Sequence, residues 1–305
     1  MTECERRLSK VTGEPGGTLG AACSLTVAAG GKRMRPLLVF LALRRGTEVA
    51  EEHLAAALAM ELIHSATLVH DDILDGAELR RGQPTPAAAY GDQAGTAAGD
   101  FLFSSAFRIL AEADSPAAVS VLTEACVGLS LGELMQMEQT RDYSLQQAEY
   151  FERCRLKTSG LFSAACMLGA LLSGCSDETI SVMDTFGLHL GLAFQIADDI
   201  LDFTADTAEA GKRAGADLRD GTVTLPLVLA LARDEALAEL IESGSGEGEI
   251  EEICKRVVGT GAIDAARNQA LSHVALAVGE LEVASGELDT APLDLVARMA
   301  VDRKS

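Results

Sequence analysis

Tryptophan is missing from this 305-residue chain, and aromatic residues together make up only 4% of it. Sheets draw on aromatic and β-branched side chains, so this scarcity argues against a sandwich or barrel and favours helices rich in Ala and Leu. Basic residues are also few: 25 Lys and Arg stand against 46 Asp and Glu, a net charge of −21. A nucleic-acid backbone requires a basic footprint, so no nucleic-acid partner is expected. An anionic small substrate is still compatible with this balance where cations are local. The seven Cys contain no Cys-x-x-Cys pair. Cys126, Cys166 and Cys175 lie in apolar stretches and read as reduced core residues of a cytoplasmic protein. The longest apolar run, near Leu161 to Leu172, is too short to cross a bilayer. Met1 to Lys10 is polar and predicts no signal peptide. No basic amphipathic helix points to a membrane surface, so no stable membrane anchor is expected.

What the chain does have is a 48% hydrophobic fraction, enough for one large core. We expect a single all-α domain over residues 1–305. Helical periodicity runs through Leu37–Leu43, Leu54–Leu74, Phe101–Ala111, Ala117–Gln139, Ala148–Ser173 and Val182–Phe203. It resumes at Leu225–Leu240 and from Ile250 to the C-terminus. Short Gly/Pro-rich punctuation separates these segments, and no strand pattern stands out.

Two acidic clusters, His70-Asp71-Asp72-Ile73-Leu74-Asp75 and Ala197-Asp198-Asp199-Ile200-Leu201-Asp202, lie 127 positions apart. In each, the first and last Asp are at i and i+4 and share one helix face. Acidic pairs on helices are usually solvated faces. Here the preceding residues, Leu62-Ile63, Leu68-Val69, Leu192-Ala193-Phe194 and Ile196, are apolar and mark buried helices. Converging carboxylates in such a place require metal. All-oxygen ligands favour a hard cation, and Mg²⁺ is the natural choice where phosphates complete the shell.

The scarce cations border these clusters or the Gly loops. They are Lys32, Arg33 and Arg35 after Gly30-Gly31, Arg80-Arg81 after the first cluster, Lys157 before Thr158, and Lys212-Arg213 after the second. Arg suits bidentate phosphate recognition, and Lys acts as a point charge. His64 falls on roughly the face of Asp71, as a core residue or a phosphate ligand.

Together these segments resemble the polyprenyl synthetase family of trans-isoprenyl diphosphate synthases. The matches are Gly30-Gly31-Lys32-Arg33-Met34-Arg35-Pro36, His64 through Thr85, Gly99-Asp100-Phe101-Leu102, Gly132-Glu133, Lys157-Thr158, Gly191 to Gln195 with the second Asp cluster, Gly211-Lys212, and Asp217 to Pro226. The resemblance implies a bundle of long, mostly antiparallel helices around a central cavity (the isoprenoid synthase fold), usually a homodimer. It implies head-to-tail condensation of an allylic diphosphate with isopentenyl diphosphate, through an allylic carbocation, with Mg²⁺ gripping the leaving diphosphate. Asp71, Asp75 and Asp198 would be direct ligands, with Asp72, Asp199 and Asp202 supporting. Arg80, Lys157, Thr158, Gln195 and Lys212 would hold the allylic diphosphate; Lys32, Arg35, His64 and Arg81 would hold isopentenyl diphosphate.

One departure stands out. Relatives often read Gly-Lys-x-Thr-Leu-Pro where this chain has Gly221-Thr222-Val223-Thr224-Leu225-Pro226, so one cation near the allylic diphosphate is missing. Residues four and five before Asp71 lie one turn, roughly 5.4 Å, below the metal-binding face. They are Thr67 and Ala66, small side chains that leave a tunnel open for products longer than geranylgeranyl. The alternatives are a short-chain farnesyl or geranylgeranyl synthase, a class I terpene cyclase, a non-catalytic partner subunit, and a His-Asp metal phosphohydrolase built on His53, His64 and His70-Asp71. The cyclase fits poorly with the second Asp-Asp-x-x-Asp and the few aromatics. The phosphohydrolase leaves the second cluster unexplained.

Overall fold

Helix after helix follows from the Ala/Leu-rich composition. The computed structural model describes residues 1–204, 215–243 and 247–302. In chain order the helices are α1 (Thr2–Gly13), α2 (Gly17–Ala28), α3 (Met34–Leu41), α4 (Glu51–Leu74), α5 (Pro86–Tyr90), α6 (Asp92–Ala111), α7 (Pro116–Glu138), α8 (Gln147–Cys154), α9 (Gly160–Leu172), α10 (Asp177–Thr204), α11 (Ala216–Asp220), α12 (Leu225–Leu231), α13 (Ala236–Ser243), α14 (Glu247–Gly259), α15 (Ala262–Ala284) and α16 (Thr290–Val301). Two compact units divide the chain. One comprises Met1–Cys126, Ala164–Met183 and Glu287–Asp289; the other Val127–Ser163, Asp184–Gly286 and Thr290–Ser305.

In the first unit, α1 was not expected from periodicity. It buries Cys4, Leu8 and Thr12 at i, i+4, i+8, with Glu3 and Glu5 in its first turn and Lys10 in its last, which suits the helix dipole. The start of α4 is held by the Ala50 N–H donating to His53 Nδ1 at 2.9 Å, with Glu51 and Glu52 in the first turn. An almost unbroken run from Ala55 to Ile63 is buried, so α4 is a core helix, and it packs chiefly along α6. Small residues allow that approach: a Cβ on Gly99 would collide with the His70 ring. Just after α4, a hairpin pairs Leu79 with Pro84 and Arg80 with Gln83. Arg81 and Gly82 at its turn have φ of 52° and 75°, as a two-residue hairpin demands. These are the sole strands among the described residues.

In the second unit, the single helix expected over Ala148–Ser173 is interrupted. Arg155–Ser159 forms a π-helical turn between α8 and α9. Such a bulge inserts one residue and rotates the side chains around it. Its core gathers Tyr150, Ile196, Ile200, Phe203 and the wholly buried start of α12, Leu225–Ala230. By length and composition, α7 and α10 are apolar enough to cross a membrane. Buried Leu192, Ile196 and Ile200 assign α10's apolar side to this core.

Candidate active site

The first acidic cluster closes α4. A helix C-terminus carries partial negative charge, and the last turn of α4 contains no basic residue. The dipole therefore disfavours negative charge there, and a cation beside these carboxylates is stabilising. Asp75 is exposed and Asp71 half-buried, whereas Asp72 is 2% exposed and accepts Arg80 Nε at 2.7 Å. Burial pushes Asp72 upward while Arg80 opposes that shift. The hairpin thus returns Arg80 to the helix it follows.

A cationic group forms beside it. His64 is held well below its ordinary value by burial and by the charges of Arg35, Arg81, Arg80 and Arg33. It is therefore neutral at pH 7, and of the four guanidiniums that act on it Arg33 and Arg80 are paired with carboxylates. Arg33 is not a ligand candidate. It has φ 48°, and its Nε and Nη1 meet Glu5 and Glu61 at 2.7 and 2.6 Å. Arg35 is brought down to about 10 by burial, with Glu61 opposing, and it stays charged at neutral pH. Arg81 also donates to the Gly30 carbonyl. Lys32 is exposed, Ala66 fully buried and Thr67 half-buried, with the Thr67 hydroxyl donating to His64 O at 2.8 Å. Of the two expected tunnel residues, Thr67 is the one with accessible surface.

The second cluster shows the same division of labour. Asp198 is exposed, and Asp199 is 3% exposed. Asp199 accepts from Tyr150 OH at 2.6 Å and from Gln195 Nε2 at 2.8 Å, and Thr158 Oγ1 donates to Gln195 Oε1 at 2.8 Å. Burial pushes Asp199 up to about 6 against these donors. Asp202 accepts the backbone N–H of Ala216 and of Asp217 at 3.0 and 3.1 Å, fixing the start of α11. Lys157, on the π turn, pairs with Glu133. Gly132 makes room for it, since a Cβ there would lie 2.5 Å from Lys157 N. Lys212 lies outside the described residues.

Four residues of this site were not singled out as functional from the sequence. Tyr150 and Arg153 sit on α8 without any local signal. Arg153 donates to Gln139 Oε1 at 2.9 Å and to Val223 O at 2.6 Å, fixing the loop that carries Thr222. Glu133 fixes Lys157. Asp217 is pushed well above the carboxylate range by burial and by Asp199, Asp202 and Asp198. Four carboxylates that repel one another this way fit a hard divalent cation. Among the described residues, no three Asp, Glu, His or Cys side chains enclose an ion by themselves. A bound cation would take further oxygens from its ligand, as a diphosphate provides. His53 is occupied capping α4, which removes it from a His-Asp phosphohydrolase site.

The profile of the Polyprenyl synthetase family matches residues 17–257. The chain is 39% identical over 244 residues to heptaprenyl diphosphate synthase component 2 of Geobacillus stearothermophilus, covering 80% of this chain and 76% of that one. It is 34% identical to octaprenyl diphosphate synthase of Escherichia coli K12, with 84% and 81% covered. Its fold superposes on the polyprenyl synthase of Caulobacter crescentus CB15, solved with calcium and isoprenyl diphosphate, with a TM-score of 0.92, 34% identity and coverage of 100% and 95%. The chain is an all-α member of the polyprenyl synthetase family and a prenyltransferase.

Proposed function

We propose that this enzyme condenses an allylic diphosphate head-to-tail with isopentenyl diphosphate and releases an all-trans polyprenyl diphosphate longer than geranylgeranyl. One observation carries the reading. In both Asp-Asp-x-x-Asp motifs the second aspartate is buried and held by protein donors, Arg80 in one and Tyr150 with Gln195 in the other, while the first aspartate has accessible surface. Asp71, Asp75 and Asp198 are the ligands for Mg²⁺, whose charge would stabilise the departing pyrophosphate. Arg80, Thr158, Gln195 and Lys157 orient the allylic diphosphate, with Lys212 as a further cation. The group of Lys32, Arg35, Arg81 and neutral His64 takes isopentenyl diphosphate. Its double bond attacks the allylic cation, and a proton is then lost to the released pyrophosphate. Apolar surroundings keep water from the cation.

The length assignment draws support from Thr67, a small residue one turn below Asp71, and from relatives named for heptaprenyl and octaprenyl products. Residues Val127, Leu131, Leu134 and Met137 line one face of α7, each more than half exposed. A second copy of the chain covers them in the homodimer. All seven Cys carry free thiols, which suits the reducing cytoplasm.

The test uses the purified chain alone with farnesyl diphosphate and labelled isopentenyl diphosphate, with and without Mg²⁺. Label in extractable lipid longer than C20, dependent on Mg²⁺, is the expected result. No incorporation sinks the reading of a self-sufficient synthase.

A further inference from the structure

Thr222 leaves the region around the second acidic cluster one cation short of the family pattern. The cations nearby are mostly engaged. Lys157 is paired with Glu133. Arg153 is buried, with guanidinium nitrogens on Gln139 and on Val223 O. Arg155 is paired with Glu152 at 2.7 Å; Arg219 makes no ion pair among the described residues, and its charge acts on Asp202 of the cluster itself.

Arg141 is different. It adopts a left-handed backbone with φ 60°, a conformation strained for a non-glycine residue and one that collects at functional sites. It is held there by its own N–H, which donates to Gly221 O at 2.8 Å. Its stem lies flat over Gly221: a Cβ on that glycine would meet Arg141 Cγ at 2.7 Å and Nε at 3.1 Å. The side chain therefore runs alongside the residue immediately before Thr222. That loop is tied back to the acidic cluster, because Thr222 N–H donates to Asp217 O at 2.8 Å and Asp217 N–H donates to Asp202 at 3.1 Å. In a chain with 46 acidic residues, Arg141 is exposed and makes no ion pair among the described residues.

We propose that Arg141 supplies the cation that Thr222 does not, as a substrate-binding residue for the allylic diphosphate. The proposal rests on the prenyltransferase reading above. Guanidinium and ammonium side chains reach similar distances, and the guanidinium fork suits two phosphate oxygens at once. The charge has moved from one side of Gly221 to the other, and Gly221, having no Cβ, lets the arginine stem pass.

Steady-state kinetics with each substrate varied in turn test this, using Arg141→Gln, which keeps the stem, and the double variant Arg141→Gln/Thr222→Lys. Arg141→Gln should raise the KM for farnesyl diphosphate about tenfold and leave that for isopentenyl diphosphate within twofold. Adding Thr222→Lys should recover most of the loss. Calorimetric titration of pyrophosphate with Mg²⁺ reads the same contact without turnover, and Arg141→Gln should weaken it by a similar factor. An unchanged farnesyl KM, an equal rise in both KM values, or no recovery in the double variant overturns the assignment. A wild-type chain that incorporates no label defeats the functional reading instead. The pyrophosphate titration then decides Arg141 by itself: weakened binding supports it, and unaltered binding overturns it.

Discussion

Replacing Tyr150 by Phe removes one oxygen atom from the most enclosed contact of the second acidic cluster. Tyr150 has no accessible surface, and its hydroxyl donates at 2.6 Å to a carboxylate that is 3% exposed. Water cannot enter without repacking, so Asp199 would be left with Gln195 as its remaining side-chain donor. Loss of a buried hydrogen bond to a charged group costs roughly 1.5–3 kcal/mol, so we expect a stability loss of about 2 kcal/mol in urea unfolding. The chemistry should suffer separately. Gln195 bridges Asp199 and Thr158, and an under-held carboxylate draws Gln195 toward itself. A loss of about 1.4 kcal/mol in transition-state stabilisation, tenfold in kcat, follows if Thr158 and Gln195 orient the diphosphate. Single-turnover incorporation of labelled isopentenyl diphosphate measures it at saturating substrate. Both effects should shrink in an Asp199→Asn background, where the charge is gone. A variant that unfolds within about 0.5 kcal/mol of wild type and turns over normally would show that the Tyr150–Asp199 contact carries neither stability nor geometry.

Gly132→Ala would place a Cβ 2.5 Å from Lys157 N and 2.9 Å from its Cα. Backbone must then move, so we expect about 2 kcal/mol of destabilisation and a fall in kcat/KM, read by thermal unfolding and kinetics. Thr67→Phe puts a ring one turn below Asp71 and should shorten the products; chromatography of dephosphorylated lipids showing an unchanged length would remove Thr67 from the tunnel wall. Acid should weaken the fold through His189 and His273, whose Nδ1 atoms lie 3.0 Å apart. Burial and His189 lower His273 from 6.5 to about 4, and burial lowers His189. The unfolded chain takes up protons below about pH 6.5 that the folded pair refuses, so this pair's contribution to stability is lost as pH falls from there toward 4, opposite in sign to that of buried Asp199. Allowing for the partial exposure of these rings, the loss is about 1–2 kcal/mol. His273→Gln should flatten the slope in pH-dependent urea titrations.

The sequence by itself determined the helical class, the two Asp-Asp-x-x-Asp motifs and the family, because composition, i, i+4 spacing and ordered motifs are local properties. It placed α4 and α10 nearly to their ends, where long apolar runs meet acidic clusters. It passed over α1, whose buried stripe of Cys4, Leu8 and Thr12 is too short to register. It also ran α8 and α9 together, since a π turn changes the hydrogen-bond partner and leaves the apolar pattern almost intact. Tertiary structure alone decided which aspartate of each motif faces inward. That choice depends on donors distant in sequence, such as Tyr150 on α8 reaching Asp199 on α10. It also decided that Arg33 is an internal ion-pair residue while its neighbour Arg35 belongs to the cationic group around His64. In a linear reading both are basic residues beside a glycine pair; burial and partners, which no local pattern records, separate them.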